Sequence, residues 1–247
     1  MNIHIKYASS GSPDPKQAVA EFARQIDTHA VDTVIFFCSP DYDLAVLGQA
    51  LKETFTCSCI GCTSSGQIGT EGFLHTGLLG LGLSGGFRAR SFMIHPLTDY
   101  SATVLDIAET IRKDSEERPG LHRFGLLLVD GLSMAEERLA ANLYQQIGNV
   151  PIIGGSAGDN LRFEKTYIYD GNGQFISDAA VFAVIETQSP VTTFKVQHFE
   201  PSDVELVITE ADPEKRLIRE INGEPAAQVY AEALGLTVQD LTPTVFS

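Results

Sequence analysis

The sequence predicts an α/β protein: a duplicated βαβ unit with a mixed sheet, followed by part of a smaller α+β domain. Two continuous apolar runs, at 34–37 and 124–129, are typical of strands buried on both faces. Each run precedes a helical stripe of apolar residues and then a second β-prone segment. Each second segment leads into a run of small residues, so the two halves share one order of elements.

Composition excludes several classes of function. The chain has 247 residues, of which 17 are basic and 32 acidic, so its formal net charge is −15. This charge disfavours nucleic acid and anionic lipid surfaces as partners. The longest apolar run is too short to span a bilayer, and the first residues lack the pattern of a signal peptide. We therefore expect a cytoplasmic protein that binds neither nucleic acid nor membrane and whose four cysteines are reduced.

The first half shows the alternation of strands and helices most clearly around its second helix. Leu44, Leu47 and Leu51 recur at helical spacing between two β-prone runs. The predicted elements of this half are strand 34–37, helix 41–54, strand 56–60 and strand 78–83, and a predicted strand 2–8 and helix 18–26 precede it.

The second half repeats this pattern with a clear start and end to its second helix. The run Ser133-Met134-Ala135-Glu136 predicts a capping box, in which the Ser133 hydroxyl and the Glu136 carboxylate accept free N–H groups. Gly148 is a typical helix stop. The predicted elements are strand 124–129, helix 133–147, strand 150–153 and strand 179–185, and a predicted strand 88–94 and helix 102–113 lie between the two halves.

Residues 190–247 have a different pattern, typical of a small α+β domain. Alternating segments predict antiparallel strands over 191–199, 204–209 and 217–221. An Asn222-Gly223 turn precedes a helix over 226–234, which Gly235 ends.

The two halves, about 30–86 and 120–186, align in detail. The run 60–63, Ile-Gly-Cys-Thr, matches the run 153–156, Ile-Gly-Gly-Ser. Order, interval and loop chemistry agree, so we interpret the halves as a duplication related by a pseudo-two-fold axis.

Both small-residue loops are predicted to follow the carboxyl ends of parallel strands, where ligands of such sheets bind. Glycines let a ligand approach the backbone, and hydroxyls add donors without bulk. We therefore predict one shared ligand pocket. The residues predicted to line it are Gly61, Cys62, Thr63, Ser64, Ser65, Gly66, Gly154, Gly155, Ser156, Ala157, Gly158 and Asp159.

These two loops resemble the hallmark loops of the FIST sensory domain family. Tyr167, Gly173 and Asp178 fit the family pattern after the second loop, and the segment 221–226 with Tyr230 resembles the start of the FIST C-terminal domain. The resemblance implies a FIST N-terminal sensory domain over 1–189 and the start of the C-terminal domain over 190–247. Gln67 departs from the family, which has an acidic residue there.

The resemblance also implies a function. FIST proteins are proposed to bind small molecules in bacterial signal transduction and to signal to a histidine kinase or another signalling protein. A subset binds haem b and senses nitric oxide. If this chain binds haem, we expect His75, which follows the first loop, as the axial ligand, with a tyrosine or Cys62 as alternatives. A sensor of an amino acid or similar metabolite is the other form of this hypothesis.

An enzyme is the rival hypothesis, and we expect the chain not to be one. Residues 154–158 match the G-x-S-x-G pattern of a serine hydrolase, with Asp178 and His198 in the chain order of a triad. That pattern requires a helix directly after Ser156, whereas residues 159–162 are turn-like.

Two further motifs predict ordinary structure. Residues 80–85 match G-x-G-x-x-G, but a strand-like segment follows where a dinucleotide site needs a helix. Cys57, Cys59, Cys62 and Cys38 are numerous enough for a metal site, but two of them share one face of a strand and predict a packed core. Cys62 alone remains a candidate reactive thiol.

Overall fold

The same arrangement of strands and helices occurs twice between residues 4 and 187. The computed structural model describes residues 3–70, 72–196, 200–213, 215–242 and 245. The first half contains β1 (His4–Ser10), α1 (Pro15–Gln25), β2 (Thr33–Cys38), α2 (Leu44–Thr54), β3 (Ser58–Thr63), β4 (Gln67–Gly69), β5 (Gly72–Leu74) and β6 (Leu78–Ser84). The second contains β7 (Arg88–Ile94), α3 (Ser101–Glu117), β8 (His122–Asp130), α4 (Glu136–Ile147), β9 (Ile152–Ala157), β10 (Ile168–Tyr169), β11 (Phe175–Ile176) and β12 (Ala180–Thr187).

Each half contributes four strands in the same order to one mixed sheet, and β10 and β11 of the second half extend the first sheet. The first sheet has the order β1-β6-β2-β3-β10-β11, and the second has the order β7-β12-β8-β9. In both sheets one pair is parallel, β2 with β3 and β8 with β9, and the other pairs are antiparallel. The α/β class and the duplication are therefore confirmed.

Strand register confirms the alignment of the two halves residue by residue. Cys38 lies opposite Thr63 of β3 and the first residue of β6. Val129 lies opposite Ser156 of β9 and the first residue of β12. Thr63 and Ser156 are thus equivalent positions, as the sequence alignment predicted.

The repeated unit is larger than the sequence pattern indicated. It spans 4–84 and 88–187, because each half also begins with a strand and a helix. β1 pairs with β6 and β7 pairs with β12, so these opening strands close the outer side of each sheet. Pairs formed between the two ends of a unit leave no local signal in the sequence.

The two sheets pack face to face between two layers of helices. One core lies between α1, α2 and the first sheet, and it includes Phe22, Phe36 and Leu47. An equivalent core lies between α3, α4 and the second sheet. A third core, with Ile60 and Val181, joins the inner faces of the sheets. Burial of these apolar faces is the main stabilising contribution to a layered fold.

The predicted capping box at the start of α4 is wrong. The helix begins at Glu136, and its N-cap residue, Ala135, makes no side-chain capping bond. Met134 has a φ of 57°, so the chain turns before the helix starts. The Ser133 hydroxyl instead donates to the Asp130 carbonyl at 2.7 Å. The predicted stop is confirmed, since Gly148 caps the C-terminus with a φ of 70°.

Internal contacts divide the chain into two units, residues 1–193 and 194–247. The second contains β13 (Ile208–Asp212), β14 (Leu217–Ile221), β15 (Glu224–Pro225), α5 (Ala226–Ala233) and a short 3-10 helix (Val238–Asp240). The strand predicted over 191–199 is wrong for 191–196, which are irregular, and 197–199 lie outside the described residues. The strand predicted over 204–209 begins only at Ile208. Among the helices of the described residues, none is long and apolar enough to cross a membrane.

Candidate functional site

The two predicted loops are shorter in the structure because the strands before them continue. Gly61, Cys62 and Thr63 belong to β3, and the run 154–157 belongs to β9. Each strand keeps its parallel pairing to the end of its neighbour, with Ala157 opposite Asp130 in the second half. Only the residues that follow, Ser64 to Gly66 and Gly158 onward, are irregular.

The end of β3 is covered by the second half of the chain. Strand β10 pairs with β3 through Ile168 and Cys62. The Thr63 hydroxyl accepts a hydrogen bond from the backbone N–H of Tyr167 at 3.1 Å, and the Thr63 side chain is fully buried. A Cβ at Gly61 would lie 2.5 Å from the Phe36 ring. Gly61, Cys62 and Thr63 are therefore packed inside the protein.

The end of β9 is open. Among the described residues β9 is the last strand of its sheet, and Gly154, Gly155 and Ser156 are all exposed. An edge strand presents alternate N–H and C=O groups that no neighbouring strand satisfies. Gly154 has a φ of 155°, and a Cβ there would lie 1.8 Å from the Leu127 carbonyl oxygen, so this strand requires glycine.

The two loops, which the sequence predicted to line one shared ligand pocket, are in direct contact. The backbone N–H of Gly158 donates to the Thr63 carbonyl at 3.0 Å. A Cβ at Gly158 would lie 2.4 Å from the Ser65 Oγ, so these two residues are closely packed. Within the first half, the Phe73 ring packs equally closely on Gly66. Close contact, and not an open space, thus joins Thr63 and Ser65 to Gly158 of the second loop.

Asp159 organises the turn after β9. Its buried carboxylate accepts the backbone N–H groups of four consecutive residues at 2.7–3.1 Å; these are Arg162, Phe163, Glu164 and Lys165. Burial raises the pKa of Asp159, but the four N–H donors outweigh it, so the net pKa is below the ordinary value. Asp159 is engaged with its own turn.

A groove lies between β9 and α4, and we call it the β9–α4 groove. Its volume is about 520 Å³, a size typical of small-molecule sites. Its lining residues are Leu127, Val129, Glu136, Ala140, Tyr144, Ile152, Ile153, Gly154, Gly155 and Ser156. The walls are mainly apolar, and Glu136 is the one charged residue in this lining.

Three of these lining residues share one face of α4, at positions 136, 140 and 144. Oε2 of Glu136 is buried and has no hydrogen-bond partner among the described residues. Sequence reasoning assigned Glu136 to a capping box and missed Ala140 and Tyr144. Their spacing of four residues was the available signal, because it aligns side chains along a helix.

The cysteines are structural. Cys38, Cys59 and Cys62 are buried and none of the four forms a disulfide. Burial raises the pKa of Cys62 to about 12, so the candidate reactive thiol is wrong for this residue. In the described ranges, no group of three or more histidine, cysteine, aspartate or glutamate side chains is arranged to hold a metal ion.

His75 is exposed at the end of the β4–β5 hairpin. Its ring lies edge-on to Phe73, with the ring centroids 4.8 Å apart. It lines neither the β9–α4 groove nor a cavity of about 770 Å³ next to α3, which is lined instead by His122, Ile111 and Ile147, among others.

Neither the G-x-G-x-x-G motif nor the G-x-S-x-G motif is followed directly by a helix, as the sequence indicated. Residues 80–85 lie mostly in β6, and β7 follows without a helix. After Ser156 the strand continues to Ala157 and an irregular segment follows, so no nucleophile elbow forms. The backbone N–H of Asp178 donates to the Asp130 carboxylate at 2.6 Å. His198 lies outside the described residues.

Comparison with known proteins identifies the family. The model of the FIST N domain matches residues 32–224, which is most of the chain. The chain belongs to the FIST N domain family. Its match begins after β1 and α1, at the strand that opens the repeat recognised in the sequence. FIST membership indicates a small-ligand-sensing domain.

Other comparisons add little. No curated protein matches the chain. A crystal structure of cyanuric acid hydrolase from A. caulinodans is similar at 10% identity with a TM-score of 0.39, and the match covers 76% of this chain and 72% of that one.

Proposed function

We propose that this FIST domain senses a small metabolite, such as an amino acid, bound in the β9–α4 groove. The observation that carries the proposal is the different environment of two equivalent residues, Thr63 and Ser156. The Thr63 hydroxyl bonds to Tyr167, and its strand is covered. Ser156 and its strand are exposed and line a groove of about 520 Å³.

The groove offers complementary chemistry for a small molecule with a polar end. Leu127, Val129 and Ile152 supply apolar walls, and the Ser156 hydroxyl and the β9 edge supply hydrogen-bonding groups. A pocket of apolar walls with few polar groups is the usual form of a ligand site. The first loop, although similar in sequence, has no such opening at Thr63.

Strand β9 connects the groove to the contact between the halves. It runs from the groove to Ala157, and the next residue, Gly158, donates to Thr63 of the first half. A ligand that moves the β9 edge therefore perturbs this contact. We propose that a histidine kinase or another signalling protein reads that change, with the protein acting in the cytoplasm.

The test fills the groove and compares binding. Ala140→Leu adds a larger side chain inside the groove, whereas Ala141→Leu makes the same change on an exposed position of the same helix. Thermal shift over a panel of amino acids and central metabolites would find a ligand, and calorimetry would measure it. We expect binding to the wild type and Ala141→Leu but not to Ala140→Leu. Unchanged binding to Ala140→Leu would refute the groove as the site.

Haem-based nitric oxide sensing is the second proposal, supported by the family resemblance and by one cavity. The residues around His75 do not fit haem well, because the histidine is exposed and lines neither cavity above. The cavity of about 770 Å³ is large enough for a bulky cofactor and is lined by His122, which is also exposed, and by both apolar and charged side chains. Titration with hemin, followed by His75→Ala and His122→Ala, tests it. We expect a saturable Soret band that one of these variants removes, and a band unaffected by both would reject these two ligands.

We also propose that the chain is not a hydrolase. Support comes from the absence of a helix directly after Ser156 in the described chain. Ester turnover by the wild type and Ser156→Ala is the test. A rate that falls to background in Ser156→Ala would overturn this proposal.

A further inference from the structure

Glu136 is the one charged residue among those that line the β9–α4 groove. It is the first residue of α4, and its side chain lines the groove beside β9. One carboxylate oxygen, Oε2, is buried and has no hydrogen-bond partner among the described residues. Buried polar groups are nearly always hydrogen-bonded, so an unpaired oxygen on a side chain that lines a groove needs an explanation.

Position in the helix explains why a carboxylate is tolerated there but not what it binds. The N-terminus of a helix favours negative charge, and the helix starts at this residue. The backbone N–H contact predicted for Glu136 in a capping box is not formed, since Ala135 is the N-cap and has no capping bond. Helix position therefore supplies no hydrogen-bond donor to Oε2.

The remaining lining residues limit the donor. None of them is lysine, arginine or histidine, so the lining itself holds no cation to pair with Glu136. The walls beside it are apolar, with Leu127, Val129 and Ile152 at the base and Tyr144 at the open side. A ligand that complements this groove has a charged N–H donor at one end and a compact apolar body at the other.

We infer that the β9–α4 groove binds an alkylammonium group, which donates to the Glu136 carboxylate while its apolar body packs against Leu127 and Val129. The inference rests on the proposed function, because it names the ligand chemistry of the same groove. The ammonium group belongs either to a simple amine or to the amino end of an amino acid. In an amino acid, the carboxylate would be left to the N–H groups of the β9 edge.

Four probes of one shape separate these chemistries: isoamylamine, isoamyl alcohol, isocaproate and leucine. Calorimetric titration would be carried out with the full chain at neutral pH. We expect isoamylamine to bind at least about ten-fold more tightly than the alcohol, because a hydrogen bond to a charged group is stronger than a neutral one. Isocaproate, whose charge repels Glu136, is expected not to bind. Leucine binding more tightly than isoamylamine would identify an amino acid as the source of the ammonium group.

Glu136→Gln keeps the shape of the side chain and removes its charge. We expect it to weaken isoamylamine binding about ten-fold or more, and Glu137→Gln, the same change on the next and exposed residue of α4, to alter it less than about two-fold. Thermal unfolding without ligand adds an independent readout. An unpaired oxygen contributes no stabilising hydrogen bond, so only the modest attraction of the helix N-terminus is lost and Glu136→Gln should lower the Tm by no more than about 4 °C.

The outcomes distinguish the two proposals. If isoamyl alcohol or isocaproate binds as tightly as the amine and Ala140→Leu abolishes that binding, the groove is a ligand site but the ammonium inference is wrong. If Glu136→Gln binds the amine like the wild type, or unfolds more than about 4 °C earlier without ligand, the inference is also wrong. If no probe and no member of the metabolite panel binds in a manner sensitive to Ala140→Leu, the proposed function fails as well.

Discussion

Replacing Asp159 should loosen the turn that follows β9 and destabilise the protein. The carboxylate holds four consecutive backbone N–H groups, and the nearest of these bonds, from Glu164, is 2.7 Å long. Asp159→Ala removes all four bonds at once. Asp159→Asn keeps one side-chain oxygen without its charge and should have an intermediate effect.

The magnitude follows from the number and exposure of the donors. A hydrogen bond to a charged group contributes about 1.5–3 kcal/mol when both partners are buried. Here Asp159 is only 5% exposed, but residues 162–165 are exposed, so water replaces part of the loss. We therefore expect Asp159→Ala to lower the free energy of unfolding by about 2–4 kcal/mol. For a unit of this size that corresponds to a Tm lower by about 4–16 °C.

The assay is thermal unfolding over a range of pH. Because the pKa of folded Asp159 lies below its ordinary value, its contribution to stability is present above about pH 4 and is lost as pH falls further. The Tm difference between wild type and Asp159→Asn should therefore shrink below about pH 4. Asp27→Ala, in an exposed turn, is the control and should change the Tm little. Equal Tm values for the wild type and Asp159→Ala at neutral pH would refute the reasoning.

Three other predictions test the cores and the contact between the halves. Since burial raises the pKa of Cys62 to about 12, labelling of Cys62 in the folded protein at neutral pH should be more than about a hundred-fold slower than after denaturation, as mass spectrometry can measure. Gly158→Val should destabilise by about 2–4 kcal/mol, because its Cβ would meet Ser65, while Gly11→Val, with open space around it, should not; denaturant titration compares them. Glu186→Gln should cost about 3 kcal/mol in the same titration, because this buried carboxylate accepts from two arginines.

Much of the fold was predictable because it is encoded locally. Apolar runs predicted β2 and β8, and apolar stripes predicted the helices between them, so the α/β class followed. The alignment of Ile60 with Ile153 predicted a register that the strands confirm. The capping-box prediction failed because another local structure forms at the same residues. Met134, with its positive φ, starts a turn where the capping box was expected.

The site was less predictable because it depends on pairing across the chain. The sequence identified the right small residues, including Ser156, but placed them in loops and treated both halves alike. Their strands continue because each keeps a parallel partner to its end. No local pattern shows that Glu136 on α4 faces β9, since the contact depends on how the helix packs on the sheet.

The difference between the two halves follows from where one hairpin lies. Strands β10 and β11 are inserted in the second half, yet they extend the first sheet through Cys62. The equivalent hairpin of the first half, β4 with β5, forms a sheet of its own. One copy of the duplicated strand end is therefore closed by its partner half, and the other, at Ser156, stays open. A duplicated motif thus yields one packed contact between the halves and one groove, and sequence similarity between the copies cannot tell which is which.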